Sequence, residues 1–179
     1  VCSSDLTNFD RLSDNLKARL VLENDDKASL YSVKMLHDLI YVNIGIPITF
    51  DYFHHKFHTS GLSEQEALEL AGTTWPSHIR QCCHYSESRR QEHQRMIETM
   101  CKNNNMTIDE LANWPTFAKV KREFDKIKEQ AHSDYIIAPI NTYGHNLDIM
   151  LAAKAKELAL LNYQYMPELN IYTKEKELI

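Results

Sequence analysis

The stretch that most constrains this chain is Arg19-Leu-Val-Leu-Glu-Asn-Asp-Asp-Lys27, where a short apolar run stops abruptly at Glu23, Asn24, Asp25 and Asp26. The run has strand length, so it reads as a strand that ends in acid. Three later segments repeat the plan. Ile46-Pro-Ile-Thr-Phe50 ends in Asp51 with His54 and His55 following, residues 79–83 end in His84, and residues 147–155 end in Lys156 and Glu157. Between the first two, residues 32–43 place Val33, Leu36, Leu39 and Ile40 at helical spacing, with Ser32 as N-cap. The unit is strand, polar tip, helix, strand.

Four such units predict an α/β fold with a parallel sheet covered by helices. An open sheet concentrates its polar residues at one switch point. Here every strand carries ionisable residues at its carboxyl end, as when all tips converge on one pocket at the top of a TM-score-independent geometry such as a (β/α)8 TIM barrel.

The connections fill in the rest. Residues 7–17 form a helical pattern with Phe9, Leu12 and Leu16 on one face. Ser63 caps a helix over residues 64–71, and Thr73-Thr-Trp-Pro76 is a turn. Residues 86–130 are strongly polar, with helical patterns at 91–102 and 115–130 and a Thr107/Glu110 capping box. Ordinary connections run about 2–6 residues, so this stretch reads as an inserted helical hairpin. A helix follows the fourth strand through about residue 165, and 166–179 is a charged tail. Residues 1–6 match what an in-frame sequencing adapter would encode and are read as a non-native leader. The domain is then 7–165.

Composition narrows the class. A chain of 179 residues, 43% hydrophobic, can bury a core. No apolar run approaches the roughly 20 residues of a membrane helix, and no secretory signal is visible. The four cysteines show no CxxC spacing, so the chain is expected in a reducing intracellular compartment, cytoplasmic in a prokaryote or nuclear or mitochondrial in a eukaryote. A net charge of −5 gives no global attraction to nucleic acid, although local Lys and Arg can flank an acidic pocket.

Glu23, Asp51, His54, His84 and His132 are the candidate metal ligands. Mixed carboxylate and imidazole donors without thiolates suit divalent Mn²⁺, Zn²⁺ or Fe²⁺ better than a closed structural zinc site. In Asp51-x-x-His54, just after a strand, both side chains reach one ion from a tight turn. Lys27, Arg80, Lys154 and Lys156 are the candidate phosphate contacts, the last two alternating along the fourth strand with Ala153 and Ala155. His37, His55, His58 and His93 read as surface or packing residues. Trp75 and Tyr85 read as packing at strand ends, and the charges of 86–130 as solvated helix faces.

Six ordered motifs carry a resemblance: Glu23-Asn-Asp-Asp-Lys27, Asp51-Tyr-Phe-His-His55, Thr74-Trp75, His84-Tyr-Ser86, Ala131-His-Ser-Asp-Tyr-Ile136 and Asp148-Ile-Met-Leu-Ala-Ala-Lys-Ala-Lys-Glu157. In this order they resemble the UV damage endonuclease family over residues 9–165, the insert apart. The resemblance implies a (β/α)8 barrel of which this chain holds strands five to eight. It implies a divalent metal cluster, expected to be Mn²⁺ with Zn²⁺ or Mg²⁺ as alternatives, and hydrolysis of the DNA backbone 5′ of UV photoproducts. It implies a UV-damaged duplex as substrate and a full-length protein that is a monomer. Glu23, Asp51, His54, His84 and His132 match the family's metal ligands, and catalysis falls to Glu23, His84 and Lys154. This chain departs from the family pattern at Ala152, where the family has a glutamate ligand, and at Cys82, where it has a lysine. A sugar-isomerase or endonuclease IV-like barrel enzyme and an inactive half barrel are the alternatives.

Overall fold

The structure, a computed structural model, describes residues 8–114 and 117–165. The leader at 1–6, the tail at 166–179 and the expected helix start at Pro115 lie outside the described residues. The chain forms two compact units. The first holds residues 8–85 and 141–150, and the second 86–140 and 151–165. Residues 131–140 and 151–165 therefore belong with the polar insert and not with the strands before it.

A parallel sheet organises the first unit. Its strands are β1 (Leu22–Glu23), β2 (Ile48–Asp51), β3 (Cys82–Tyr85) and β4 (Asp148–Leu151), in the order β1-β2-β3-β4. β1 and β3 both pair parallel to β2, with Glu23 opposite Thr49 and Asp51 opposite His84. The order follows the sequence without reversal, unlike a doubly wound sheet.

Each strand is shorter than its apolar run or is shifted along it. Arg19 and Leu20 close turns onto Leu16 and Lys17, so β1 begins late and Glu23 lies inside the strand. Ile79 closes a turn onto Pro76, so β3 begins at Cys82 and contains His84. β4 stops at Leu151. The backbone N–H groups of Lys154 and Ala155 donate to Ser133 O and Asp134 O, and Lys156 turns to φ +52. The expected alternation of Lys154 and Lys156 along a strand is therefore overturned.

The helices follow their caps. A short helix, α1 (Asp14–Lys17), starts after extended Ser13, which splits the helix expected over 7–17. Ser32 accepts from Met35 N at 3.2 Å and starts α2 (Val33–Leu36). A π-helical turn (His37–Tyr41) then leads into α3 (Val42–Ile44), which ends at Gly45, φ +70. Glycine adopts that left-handed angle without a Cβ penalty. Asp51 caps a single turn, α4 (Tyr52–His55), and a Ser63/Glu66 capping box starts α5 (Glu64–Gly72). α2 and α5 pack on β2 and on each other. Ile48, Phe50, Leu68, Ala71 and Cys83 are fully buried there. Trp75 donates its indole N–H to Ile48 O at 2.7 Å, and the Tyr85 ring meets Tyr52 edge-on, both in packing roles.

Three helices stand in the second unit where a hairpin of two was expected: α6 (Arg89–Asn103), α7 (Ile108–Ala112) and α8 (Phe117–Phe124). The Thr107/Glu110 capping box starts α7, and Cys101, Leu111 and Phe117 form a small core. After β4 comes α9 (Glu157–Gln164). Among the described residues no helix is long and apolar enough to cross a membrane.

Candidate metal centre

Side chains alternate across a strand, so the register decides which of them share a face. Glu23 pairs with Thr49, and Asp51 with His84. That places Glu23, Thr49, Asp51, Cys82 and His84 on one face, with Leu22, Ile48, Phe50, Cys83 and Tyr85 on the other. Asp51 ends β2 and caps α4, its Oδ1 accepting from Phe53 N at 2.7 Å and His54 N at 2.9 Å. The cap brings the His54 ring back over the strand ends. Ligand atoms of Glu23, Asp51 and His54 lie within 4.8 Å of one another. Glu23 Oε1 is 3.3 Å from His54 Nδ1 and 3.1 Å from His84 Nδ1.

A residue absent from the expected site holds this arrangement. Asn24 is 1% exposed. Its amide donates to Asp51 O at 3.0 Å and accepts from Asp51 N at 2.8 Å, replacing the ladder bonds of a missing strand neighbour. Its carbonyl meets His54 Nδ1 at 2.8 Å. The local signal was an amide among carboxylates at a strand end, but its partner is 27 positions away.

The electrostatics follow from burial. Asp51 is 1% exposed, and burial pushes its carboxyl above the usual range, with neighbouring Glu23 adding to the rise and the α4 N–H donors opposing it. Burial also acts to raise Glu23, but bonds to His84 and Asp51 and the charges of both histidines outweigh it and leave Glu23 low. The Glu23 bond raises His84. Two close carboxylates, one buried, with imidazoles at their edge, form a donor set that fits a hard or borderline divalent cation. Burial together with the charges of Asp148 and Glu23 raises the Cys82 thiol, so it stays protonated. The fully buried cysteine is Cys83.

The remaining expected site residues are placed differently. His132 belongs to the second unit, bridged to Ser88, with Nδ1 2.9 Å from Ala152 O. Lys154 and Lys156 lie in the turn after β4, in that same unit. Lys27 is exposed in the loop after β1. Arg80 precedes β3, at the opposite end of the strand from its carboxyl tip, and its Nη1 lies 2.7 Å from Asp148 Oδ1. As a tip-side phosphate contact Arg80 is overturned, because β3 starts later than its apolar run.

The sequence matches the family model described as UV-endonuclease UvdE over residues 4–179. The chain belongs to this family. It is 42% identical over 87 residues to the UV-damage endonuclease of Schizosaccharomyces pombe, covering 45% of this chain and 14% of that protein. It is 28% identical over 165 residues to the UV DNA damage endonuclease of Bacillus cereus, covering 87% of this chain and 40% of that protein. A solved structure titled "Crystal Structure of SacUVDE" superposes with a TM-score of 0.58 at 28% identity, covering 90% of this chain and 44% of that one. The chain thus spans well under half the length of these UvdE relatives.

The pKa directions give this UvdE chain a signed pH dependence without metal. Glu23, lowered from 4.5, stabilises the fold above that value and loses the contribution as pH falls through its folded pKa. His84, raised from 6.5, stabilises below that value and loses it as pH rises through its folded pKa. Asp51, raised from 3.8, is likewise a cost once ionised. The Glu23–His84 pair therefore contributes most between 4.5 and 6.5. Thermal unfolding with a chelator should show Tm falling between roughly pH 6 and 8, and Mn²⁺ should restore it. A Tm that climbs steadily through that interval without metal would refute the assignment.

Proposed function

We propose that this chain is the carboxyl-terminal half of a (β/α)8 metal-dependent DNA repair endonuclease that hydrolyses the backbone 5′ of UV photoproducts. The observation that carries the reading is the Glu23, Asp51 and His54 cluster at the strand ends, with His84 bonded to Glu23. Names of the relatives support the substrate class, and the unreversed strand order supports the barrel.

Glu23, Asp51, His54 and His84 would hold the metal, with His132 supplied from the second unit. A divalent ion such as Mn²⁺ would supply positive charge to a phosphoryl oxygen and acidify the attacking water. The protein prepares that site in three ways. Asp51 commits Oδ1 to the α4 N–H groups, which leaves Oδ2 towards the cluster. Asn24 fixes the Asp51 backbone and meets the His54 ring. His84, held protonated beside Glu23, must release its proton as metal binds, so loading strengthens with pH. Lys27, Lys154 and Lys156 would neutralise DNA phosphates.

The test fuses this chain to the amino-terminal half of a related barrel and assays nicking of a duplex carrying one photoproduct, with Mn²⁺. Cleavage 5′ of the lesion, abolished by Glu23→Ala and by His84→Ala, is the expected result. Ala152 stands where the resemblance places a glutamate, so Ala152→Glu should raise the rate. A folded fusion that binds damaged DNA yet cuts with neither Ala nor Glu at position 152 would overturn the reading.

A further inference from the structure

The polar insert opens with two buried acids that the metal centre does not use. Glu87 and Glu92 are 4% and 6% exposed. Neither is spent mainly on an ion pair. Glu92 Oε2 accepts from Asp134 N at 2.8 Å and its Oε1 from Tyr135 N at 2.9 Å. Glu87 Oε1 accepts from both Ile137 N and Ala138 N at 2.7 Å, while its Oε2 takes Arg95 Nη1 at 2.9 Å. The main chain adds to this. Ser133 N donates to Glu87 O at 2.8 Å, and Arg89 N donates to Ala131 O at 2.8 Å.

Residues 131–138 have no helix and only one isolated bridge, yet five of their backbone N–H groups end on Glu87 or Glu92. A buried backbone donor must find a partner, and here the partners are charged side chains instead of a ladder. The constraint passes onward, because Ser133 O and Asp134 O accept from Lys154 N and Ala155 N. His132 sits inside this frame, its ring on Ala152 O.

We propose that Glu87 and Glu92 are positioning residues that set the backbone of 131–138 and thereby the His132 ring and the Lys154 turn. This rests on the proposed roles of His132 and Lys154, and it assigns the start of the insert a task beyond solvated helix. The two acids differ in a way that can be tested. Both Glu92 oxygens accept backbone N–H groups, so an amide there must turn its NH₂ against a donor. At Glu87 one oxygen takes both N–H groups, so a glutamine can keep them and lose only Arg95.

The experiment uses the full chain with ¹⁵N spectra of the histidine rings, amide hydrogen exchange and Mn²⁺ titration. In Glu92→Gln the Asp134 and Tyr135 amides should exchange at least about tenfold faster. The His132 ring signals should move, and Mn²⁺ affinity should fall about tenfold, the scale of a lost outer-shell partner. Glu87→Gln should retain the protection of Ile137 and Ala138 that Glu87→Ala loses. Unmoved His132 signals in Glu92→Gln, or equal loss of Ile137 and Ala138 protection in Glu87→Gln and Glu87→Ala, would overturn the proposal. If Glu92→Gln does not fold, Glu92→Asp serves, with a smaller ring shift expected and none overturning it. Should His132→Ala leave Mn²⁺ affinity unchanged, the ligand reading of His132 fails, whereas the ring shift in Glu92→Gln still decides the positioning.

Discussion

Glu23→Ala lowers the affinity of the chain for Mn²⁺ by more than about 100-fold, beyond the roughly 10–100-fold cost of losing an outer-shell partner. Glu23 is where the site converges. One of its oxygens lies 3.3 Å from His54 and 3.1 Å from His84, and the other cluster carboxylate, Asp51, already spends Oδ1 on two N–H groups. Removing Glu23 leaves one partly committed carboxylate and imidazoles that no longer share an anion. Metal-free stability should move the other way or hardly at all. The loss of the Glu23–His84 pair is offset by relief of the neighbouring Asp51, which is buried and held above its usual pKa partly by Glu23. Calorimetric titration with Mn²⁺, paired with melts in chelator, separates these effects. Undiminished affinity in a folded Glu23→Ala chain would remove the cluster from consideration as a metal site.

Asn24→Leu should be the most damaging change outside the ligands. Leucine is close in shape, so cavity formation is not the cause. What it removes is both backbone bonds of Asp51, leaving an N–H and a C=O buried without partners, at about 1–3 kcal/mol each. Against a usual total of about 5–15 kcal/mol, this is a large fraction of the stability. The Asp51 carboxylate and the His54 ring would shift together, so Mn²⁺ affinity should also fall by about 10–100-fold. Asn24→Asp keeps the acceptor for Asp51 N but loses the donor to Asp51 O, and it adds a carboxylate beside two others. Urea unfolding should therefore rank the parent chain above both variants. A midpoint for Asn24→Leu equal to that of the parent would show that water replaces the amide at no cost.

Much of the site was legible because it is local. An apolar run ending in acid placed Glu23 and Asp51 at the strand ends, and Asp51-x-x-His54 predicted the tight turn that α4 supplies. Ser32, Ser63 and Thr107 start helices as their side chains require, since a cap reaches only two or three residues along the chain. What failed depended on register or on distant partners. Arg80 fell at the wrong end of β3, and Lys154 and Lys156 fell beyond β4, because strand limits depend on which backbone groups a neighbouring strand pairs. Asn24, Glu87 and Glu92 were read as polar surface, yet each is buried on backbone groups 27 to 51 positions away. Sequence by itself determined the order of strands and the chemistry at their ends, through side-chain periodicity and caps. Tertiary structure alone decided which polar groups became anchors, because a buried donor or acceptor takes whatever partner the packed chain brings within reach.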